Sequence, residues 1–203
     1  DIFVATMDDG MLKSSDLANG SVENPSRYML VTQVAMGEDT ALIAEKAPKT
    51  WAYLQRNAHF LDRRASSIYK NRPRFAVFGV GPYTFAPWKV AISGFYKSLE
   101  FKVVGPVDGK PIVLDDTSNF IPTRNRAEAD YIASLLNSST ARDFFNSFVF
   151  WDNKRPITID LLARLDIVAL AREQNPQPIG TEHLGSWRQA SELSGQLELF
   201  TTL

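Results

Sequence analysis

The chain has 203 residues, 44% of them hydrophobic, and a formal charge of −1, so it is large and apolar enough to bury one large core or two small ones. The absence of cysteine excludes a disulfide framework and a thiolate zinc site, and two histidines are too few for a histidine-rich metal cage. No apolar run could span a bilayer and no secretion signal is present, so we expect a cytoplasmic protein without a membrane partner. The chain starts at Asp1 and runs directly into apolar residues, which predicts a piece of a longer polypeptide.

The small net charge conceals a strongly uneven charge distribution. The segment 56–110 holds ten Lys or Arg residues and three acidic residues, a net charge of +7, whereas the rest of the chain holds twelve basic and twenty acidic residues. A basic segment that is also rich in aromatic residues is typical of proteins that contact phosphates.

The first half of the chain predicts a strand followed by a helix. Residues 1–27 are acidic and rich in turn signals, and 28–34 read as a short strand. Pro48 fits the first turn of a helix. Five apolar residues then recur at helical spacing and predict one buried face: Trp51, Leu54, Ala58, Leu61 and Ala65.

The middle of the chain predicts a meander of strands punctuated by glycines. The predicted strands are 75–78, 88–93, 99–104 and 111–115. In 99–103 apolar and charged residues alternate, which predicts a half-buried strand with Glu100 and Lys102 on the solvent side.

The remainder predicts helices that flank this sheet. Asn125 and Glu128 have the spacing of a helix cap, and Thr140 with Asp143 predicts a second helix start. Residues 157–167 predict a further packed element. We therefore predict an α+β fold in which an irregular antiparallel or mixed sheet is flanked by helices, with one domain over 28–170 and a helical or loosely ordered tail over 171–203.

The sequence lacks the usual signatures of an enzyme. No nucleophile elbow is present. Gly79 and Gly81 lack the third glycine of a nucleotide-binding loop, and Pro82 follows where that loop's helix would begin, so a turn between strands is the better interpretation. We expect no metal and no cofactor bound by this chain.

A magnesium-dependent nuclease is one alternative. Glu100 and Lys102 on a strand resemble part of a nuclease site, and Asp115 and Asp116 could converge with Glu100. The competing interpretation is an exposed strand face followed by a capped turn.

A cluster of basic residues at 63–74, between the predicted helix and the predicted strand 75–78, favours an anionic partner. Five like charges within twelve positions repel one another unless an anion is near: Arg63, Arg64, Lys70, Arg72 and Arg74. Tyr69, Tyr83 and Tyr96 each lie beside a basic residue or in a turn, where a hydroxyl can reach a phosphate or a ring can lie against a base.

Several sequence blocks resemble the carboxyl-terminal portion of large adenine-specific DNA methyltransferases of the Type IIG and TaqI-like restriction-modification group. The similarity spans roughly residues 11–170. Its blocks are LKSSDL at 12–17, SSIYK at 66–70, RP at 72–73, FGVGPY at 78–83, FAPWKVAISG at 85–94, LDDT at 114–117 and FWDNKRPIT at 150–158.

The resemblance implies a target recognition domain, with segment 1–27 following a catalytic domain that this chain lacks. In that family a separate amino-terminal domain binds S-adenosylmethionine and methylates adenine N6, using an Asn/Asp-Pro-Pro-aromatic loop. The nearest candidate here, 24–28, has only one proline. We therefore expect a non-catalytic module that recognises a specific sequence in double-stranded DNA, with the catalytic methyltransferase domain of the same polypeptide as its other partner.

We expect the DNA contacts to come from basic and tyrosine side chains. The predicted contact residues are Arg63, Arg64, Tyr69, Lys70, Arg72, Arg74, Tyr83, Lys89, Lys97, Lys154 and Arg155. A protein-interaction module that docks an acidic partner subunit remains the second alternative, because the same basic surface would serve it.

Overall fold

The protein combines two small sheets with short helices, which confirms the predicted α+β class. The structure, a computed structural model, describes residues 9–35, 37–174 and 188–189. Its strands are β1 Asp9–Leu12, β2 Arg27–Met29, β3 Trp88–Ser93, β4 Lys102–Val104, β5 Val113–Leu114, β6 Ser118–Thr123 and β7 Arg188–Gln189. Its helices are α1 Ser14–Ala18, α2 Ile43–Lys46, α3 Pro48–Arg56, α4 Ala58–Asp62, α5 Arg126–Leu136, α6 Ser139–Asn146, α7 Ile159–Leu162 and α8 Ile167–Gln174. No helix among these residues is long and apolar enough to cross a membrane.

The larger sheet is antiparallel and has the strand order β4-β3-β6-β7. The smaller sheet has the order β2-β1-β5, in which β1 pairs antiparallel with β2 and parallel with β5. The predicted leading segment 1–27 thus contributes β1 and α1 to the fold, and β7 lies within the predicted tail.

Both faces of the larger sheet are buried. Val90, Ile92 and Ile121 point into a core shared with helices α5 to α8. Ala91 and Phe120 point to the opposite face and pack against β1, α1 and β5. Because side chains alternate between the two faces of a strand, burial on both sides explains why β3 is a continuous apolar run broken only by Lys89.

Strand β6 was absent from the sequence-based prediction. Its sequence, SNFIPT, contains Pro122, which argues against an interior strand because proline cannot donate a ladder hydrogen bond. Pro122 is paired with Lys89 of β3, while β7 on the other side pairs only with Asn119 and Phe120. Among the described residues, Pro122 therefore has a strand neighbour on the β3 side only.

A separate apolar cluster lies beneath α3 and α4. It contains Trp51, Leu54, Ala58 and Leu61 of the predicted helical face, packed with Phe75. The predicted single helix is nevertheless wrong, because α3 ends at Arg56. Asn57 caps this end, and its side-chain amide donates to the Tyr53 carbonyl at 2.9 Å. Ala65 lies beyond the end of α4 and is exposed.

Two predicted strands are replaced by an irregular pairing of segments. Only β2 forms within 28–34, and no strand forms at 75–78. The Thr32 hydroxyl donates to the Phe75 carbonyl at 2.6 Å, and the Gln33 amide exchanges hydrogen bonds with the backbone of Val77 at 3.0 and 3.2 Å. The buried side chains of Thr32 and Gln33 therefore hold the two segments together, whereas a pair of strands would be joined by backbone hydrogen bonds.

The helix caps were predicted with mixed success. The Asn125 carboxamide accepts a hydrogen bond from the Glu128 N–H at 2.9 Å, which confirms the cap of α5. The start predicted at Thr140 is wrong, because the Ser138 hydroxyl caps α6 by accepting from the Ala141 N–H at 3.3 Å. The packed element predicted at 157–167 contains α7.

Candidate nucleic-acid interface

The predicted phosphate contacts begin directly after α4. Arg63, Lys70 and Arg72 are exposed, and none of them forms an ion pair or hydrogen bond through its side chain with the residues that the structure describes. The 3₁₀ turn Ser67–Tyr69, capped by the Ser66 hydroxyl, shapes the loop between these cations. Three exposed positive charges without a described partner therefore share one short loop of the basic segment.

Arg64 has a structural role that the sequence did not reveal. Its guanidinium donates to three backbone carbonyls: Leu61 at 2.8 Å, Ala76 at 2.6 Å and Arg74 at 2.7 Å. The guanidinium also lies 3.9 Å from the centre of the Tyr69 ring. Both residues are half-buried, so Arg64 fastens α4 to the 74–76 segment and the Tyr69 ring covers it.

Arg74 is committed to Asp62. Two of its nitrogens donate to the two Asp62 carboxylate oxygens, at 3.0 and 2.6 Å, and a third donates to Gln55 at 3.1 Å. The hydrogen bonds from Arg74 lower the pKa of Asp62, and the same contact raises the pKa of Arg74. The predicted phosphate contact at Arg74 therefore competes with an existing bidentate ion pair.

Two predicted groove residues are turned into the protein. Lys89 is only 1% exposed, and its ammonium donates to the Ala86 carbonyl at 2.7 Å. The half-buried Tyr83 donates its hydroxyl to the Gly79 carbonyl at 3.0 Å, and its ring lies 6.1 Å from that of Phe120. We leave Lys89 out of the proposed interface, because a buried ammonium has no access to a duplex in this structure.

A second group of predicted contacts lies around the β3–β4 connection and the 151–156 loop. Lys97 and Lys154 are exposed. Arg155 faces Asp116 at 3.6 Å, and its guanidinium lies 4.7 Å from the centre of the Phe95 ring. Lys97 also borders a cleft whose other side includes Arg142 and Trp151. Arg142 was missed by the sequence-based prediction, because no sequence pattern distinguishes a single cation on a helix from an ordinary surface residue.

Exposed aromatic rings lie close to Arg64. Tyr53 is 51% and Phe60 65% exposed, and both border an apolar cleft of about 350 Å³ between α3, α4 and the 75–77 segment. Tyr53 and Phe60 were not among the predicted DNA contacts. Helical spacing alone does not show whether a ring lies within the core or at its exposed edge.

The carboxylates of the nuclease alternative do not form a metal site. Glu100 is paired with Lys102, Asp116 faces Arg155, and Asp115 accepts hydrogen bonds from Thr117 at 2.6 and 3.2 Å. No group of three His, Cys, Asp or Glu residues within the described parts of the chain could hold a metal ion.

The sequence is related to that of a methyltransferase. The relative is the Type II methyltransferase M.NspV from a Nostoc species, to which the chain is 48% identical over 162 residues. The matched region covers 80% of this chain and 34% of the relative, so the chain spans about a third of the length of the curated relative it matches. No protein-family profile matches the chain.

Proposed function

We propose that this chain is the sequence-specific DNA recognition module of an N6-adenine DNA methyltransferase from a restriction-modification system. The observation that carries the proposal is the exposed cluster of Arg63, Lys70 and Arg72, which has no acidic partner among the described residues. Relatedness to a Type II methyltransferase supports the choice of DNA as the anionic partner.

In this proposal the cations contribute to DNA binding in three different ways. Arg63, Lys70 and Arg72 bind phosphates directly and position the module on the duplex. Arg74 contributes when its ion pair with Asp62 opens. Lys97, Lys154 and Arg155 form a second edge of the interface.

The proposed module carries no catalytic loop of its own. Asn24 is exposed in the connection between α1 and β2, and Pro25 is half-buried there, close to Gly10 of β1. Asn24 therefore lies in a surface connection between two elements. The proposal therefore assigns S-adenosylmethionine binding and methyl transfer to the remainder of the parent polypeptide, which also takes the target base out of the helix.

Duplex binding measured by fluorescence anisotropy at several salt concentrations tests the proposal. Arg63→Ala/Arg72→Ala removes two proposed phosphate contacts, so the negative slope of log affinity against log salt becomes shallower by about 1.8. The matched control Arg124→Ala/Arg172→Ala removes the same charge from exposed positions outside the interface and leaves affinity nearly unchanged. Equal affinities and slopes for the two double variants would overturn the proposal.

The same measurement separates the proposal from docking of an acidic protein. DNA recognition requires that the wild-type chain binds duplex DNA and discriminates between sequences at physiological salt. A chain that binds no duplex, but is captured by an acidic subunit of its own system, would favour the interaction module.

A further inference from the structure

A cleft of about 360 Å³ opens beside the β3–β4 connection. One side is formed by residues 97–100, and the other by α6 together with Trp151. Its volume lies within the range of about 300–1,000 Å³ that is typical of ligand sites. It is distinct from the loop that carries Arg63, Lys70 and Arg72.

Two uncommitted cations border this cleft. Lys97 and Arg142 are exposed, and neither forms an ion pair with another residue in the described parts of the chain. Asn146 lies one helical turn after Arg142, on the same face of α6, and also lines the cleft. Two positive charges and an amide that face the same space form a site for a phosphate group.

The cleft also contains a fixed aromatic surface. Trp151 is half-buried and packs against the core shared by the larger sheet and α5 to α8, so its ring is held in place. Part of the side chain remains at the cleft. An indole that is already ordered offers a stacking surface for any nucleobase at a low cost in side-chain entropy.

Glu100 adds a hydrogen-bond acceptor to the same cleft. Its Oε1 atom accepts from the ammonium of Lys102, which balances the carboxylate charge. A carboxylate has a second oxygen, and this oxygen can accept from the exocyclic amine of adenine or cytosine.

We propose that this cleft binds a single unpaired nucleotide, with its base against Trp151 and its phosphate between Lys97 and Arg142. The inference rests on the proposed function, because bound DNA delivers the nucleotide. It adds to that function a preference for DNA in which one adenine or cytosine has left the helical stack. The cleft thereby stabilises distorted DNA whatever the sequence around the unpaired nucleotide.

The preference is measured with two probes on the full 203-residue chain. One probe is a fully paired duplex, and the other is the same duplex with one extra unpaired adenine. By anisotropy the wild type is expected to bind the second probe about tenfold more tightly, and Lys97→Ala/Arg142→Ala to reduce this ratio to about 1. Arg124→Ala/Arg172→Ala, with the same change of charge, keeps the ratio.

Two results would overturn the inference. One is equal affinity of the wild type for both probes, and the other is a ratio that survives in the Lys97→Ala/Arg142→Ala variant. Trp151→Leu removes the stacking surface and gives a second test if circular dichroism shows that it folds. Competition separates the ligand classes: deoxyadenosine monophosphate removes the preference, and equal competition by inorganic phosphate would mean a phosphate site only.

Failure of the proposed function gives a different result. Arg63→Ala/Arg72→Ala lowers affinity for both probes equally and keeps their ratio, because those arginines lie outside the cleft. If the wild type binds neither probe, duplex recognition fails. The cleft is then judged by calorimetric titration with deoxyadenosine monophosphate, in which unchanged affinity of Lys97→Ala/Arg142→Ala refutes it.

Discussion

Arg64 lies with its guanidinium 3.9 Å from the centre of the Tyr69 ring and donates to three backbone carbonyls on two separate segments. A residue that looks from sequence like one more surface cation therefore holds together the loop on which the exposed cations stand. These three hydrogen bonds use the planar set of N–H donors of the guanidinium, which the ammonium of a lysine cannot reproduce.

We expect Arg64→Lys to lower the free energy of unfolding by about 2 kcal/mol, because several charge-assisted hydrogen bonds to carbonyls are lost while the charge remains. Urea denaturation measures the loss. Arg63→Lys, at the exposed neighbouring position, is the matched control and changes stability by less than about 0.5 kcal/mol. Equal stability of the two variants would show that the three carbonyl contacts contribute nothing.

Asn137 is expected to fix the start of the edge strand β4. Its amide donates to the Phe101 carbonyl and its carbonyl accepts from the Phe101 N–H, both at 2.9 Å. The side chain thereby replaces a neighbouring strand at this edge. Asn137→Asp puts an acceptor beside the Phe101 carbonyl and should cost about 1–3 kcal/mol by urea denaturation. If Asn137→Asp unfolded at the same urea concentration as the wild type, this role of Asn137 would be contradicted.

The cap of α5 gives a smaller and more local effect. Asn125→Ala leaves the Glu128 N–H without its acceptor and should lower the free energy of unfolding by about 1 kcal/mol. Asn125→Asp keeps an acceptor at the cap and serves as the control. Thermal unfolding separates the two variants, and an alanine variant as stable as the aspartate variant would show that the cap is not needed.

The sequence predicted those parts of the fold that local chemistry determines. The cap at Asn125 and the strand Trp88–Ser93 follow from residue preferences within a few positions. Strand β6 could not be found in this way, because Pro122 argues against a strand and is accommodated only by the way in which β6 pairs with its neighbours. That pairing includes a segment more than sixty residues away.

The candidate site shows the same limit. The composition of the 63–74 segment predicted a cluster of cations, but it did not show which of them are paired with groups just outside the segment. Asp62 and the carbonyl of Ala76 take up Arg74 and Arg64, whereas Arg63 and Arg72 stay exposed. Lys89 was predicted as a DNA contact, yet both faces of β3 are buried.

Because Asp62 holds Arg74 in an ion pair, we predict that removing the Asp62 carboxylate strengthens DNA binding. Asp62→Asn frees Arg74 to contact a phosphate, so duplex affinity at low salt should rise about threefold. Asp130→Asn, which breaks the exposed pair between Asp130 and Arg126, removes the same charge and is the matched control. A rise that is equal in both variants would show that only net charge matters.

The pH dependence of stability tests the same ion pair in the free protein. The pKa of the Asp62 carboxyl is lowered from 3.8 in the folded state, mainly by the hydrogen bonds from Arg74, so the unfolded chain binds this proton more readily. The contribution of the pair is therefore fully present well above pH 3.8 and is lost as pH falls through the lower folded pKa. Wild type and Asp62→Asn should differ in unfolding free energy at neutral pH and converge in acid. A difference that is constant with pH would mean that Asp62 acts through packing and that its charge is not involved.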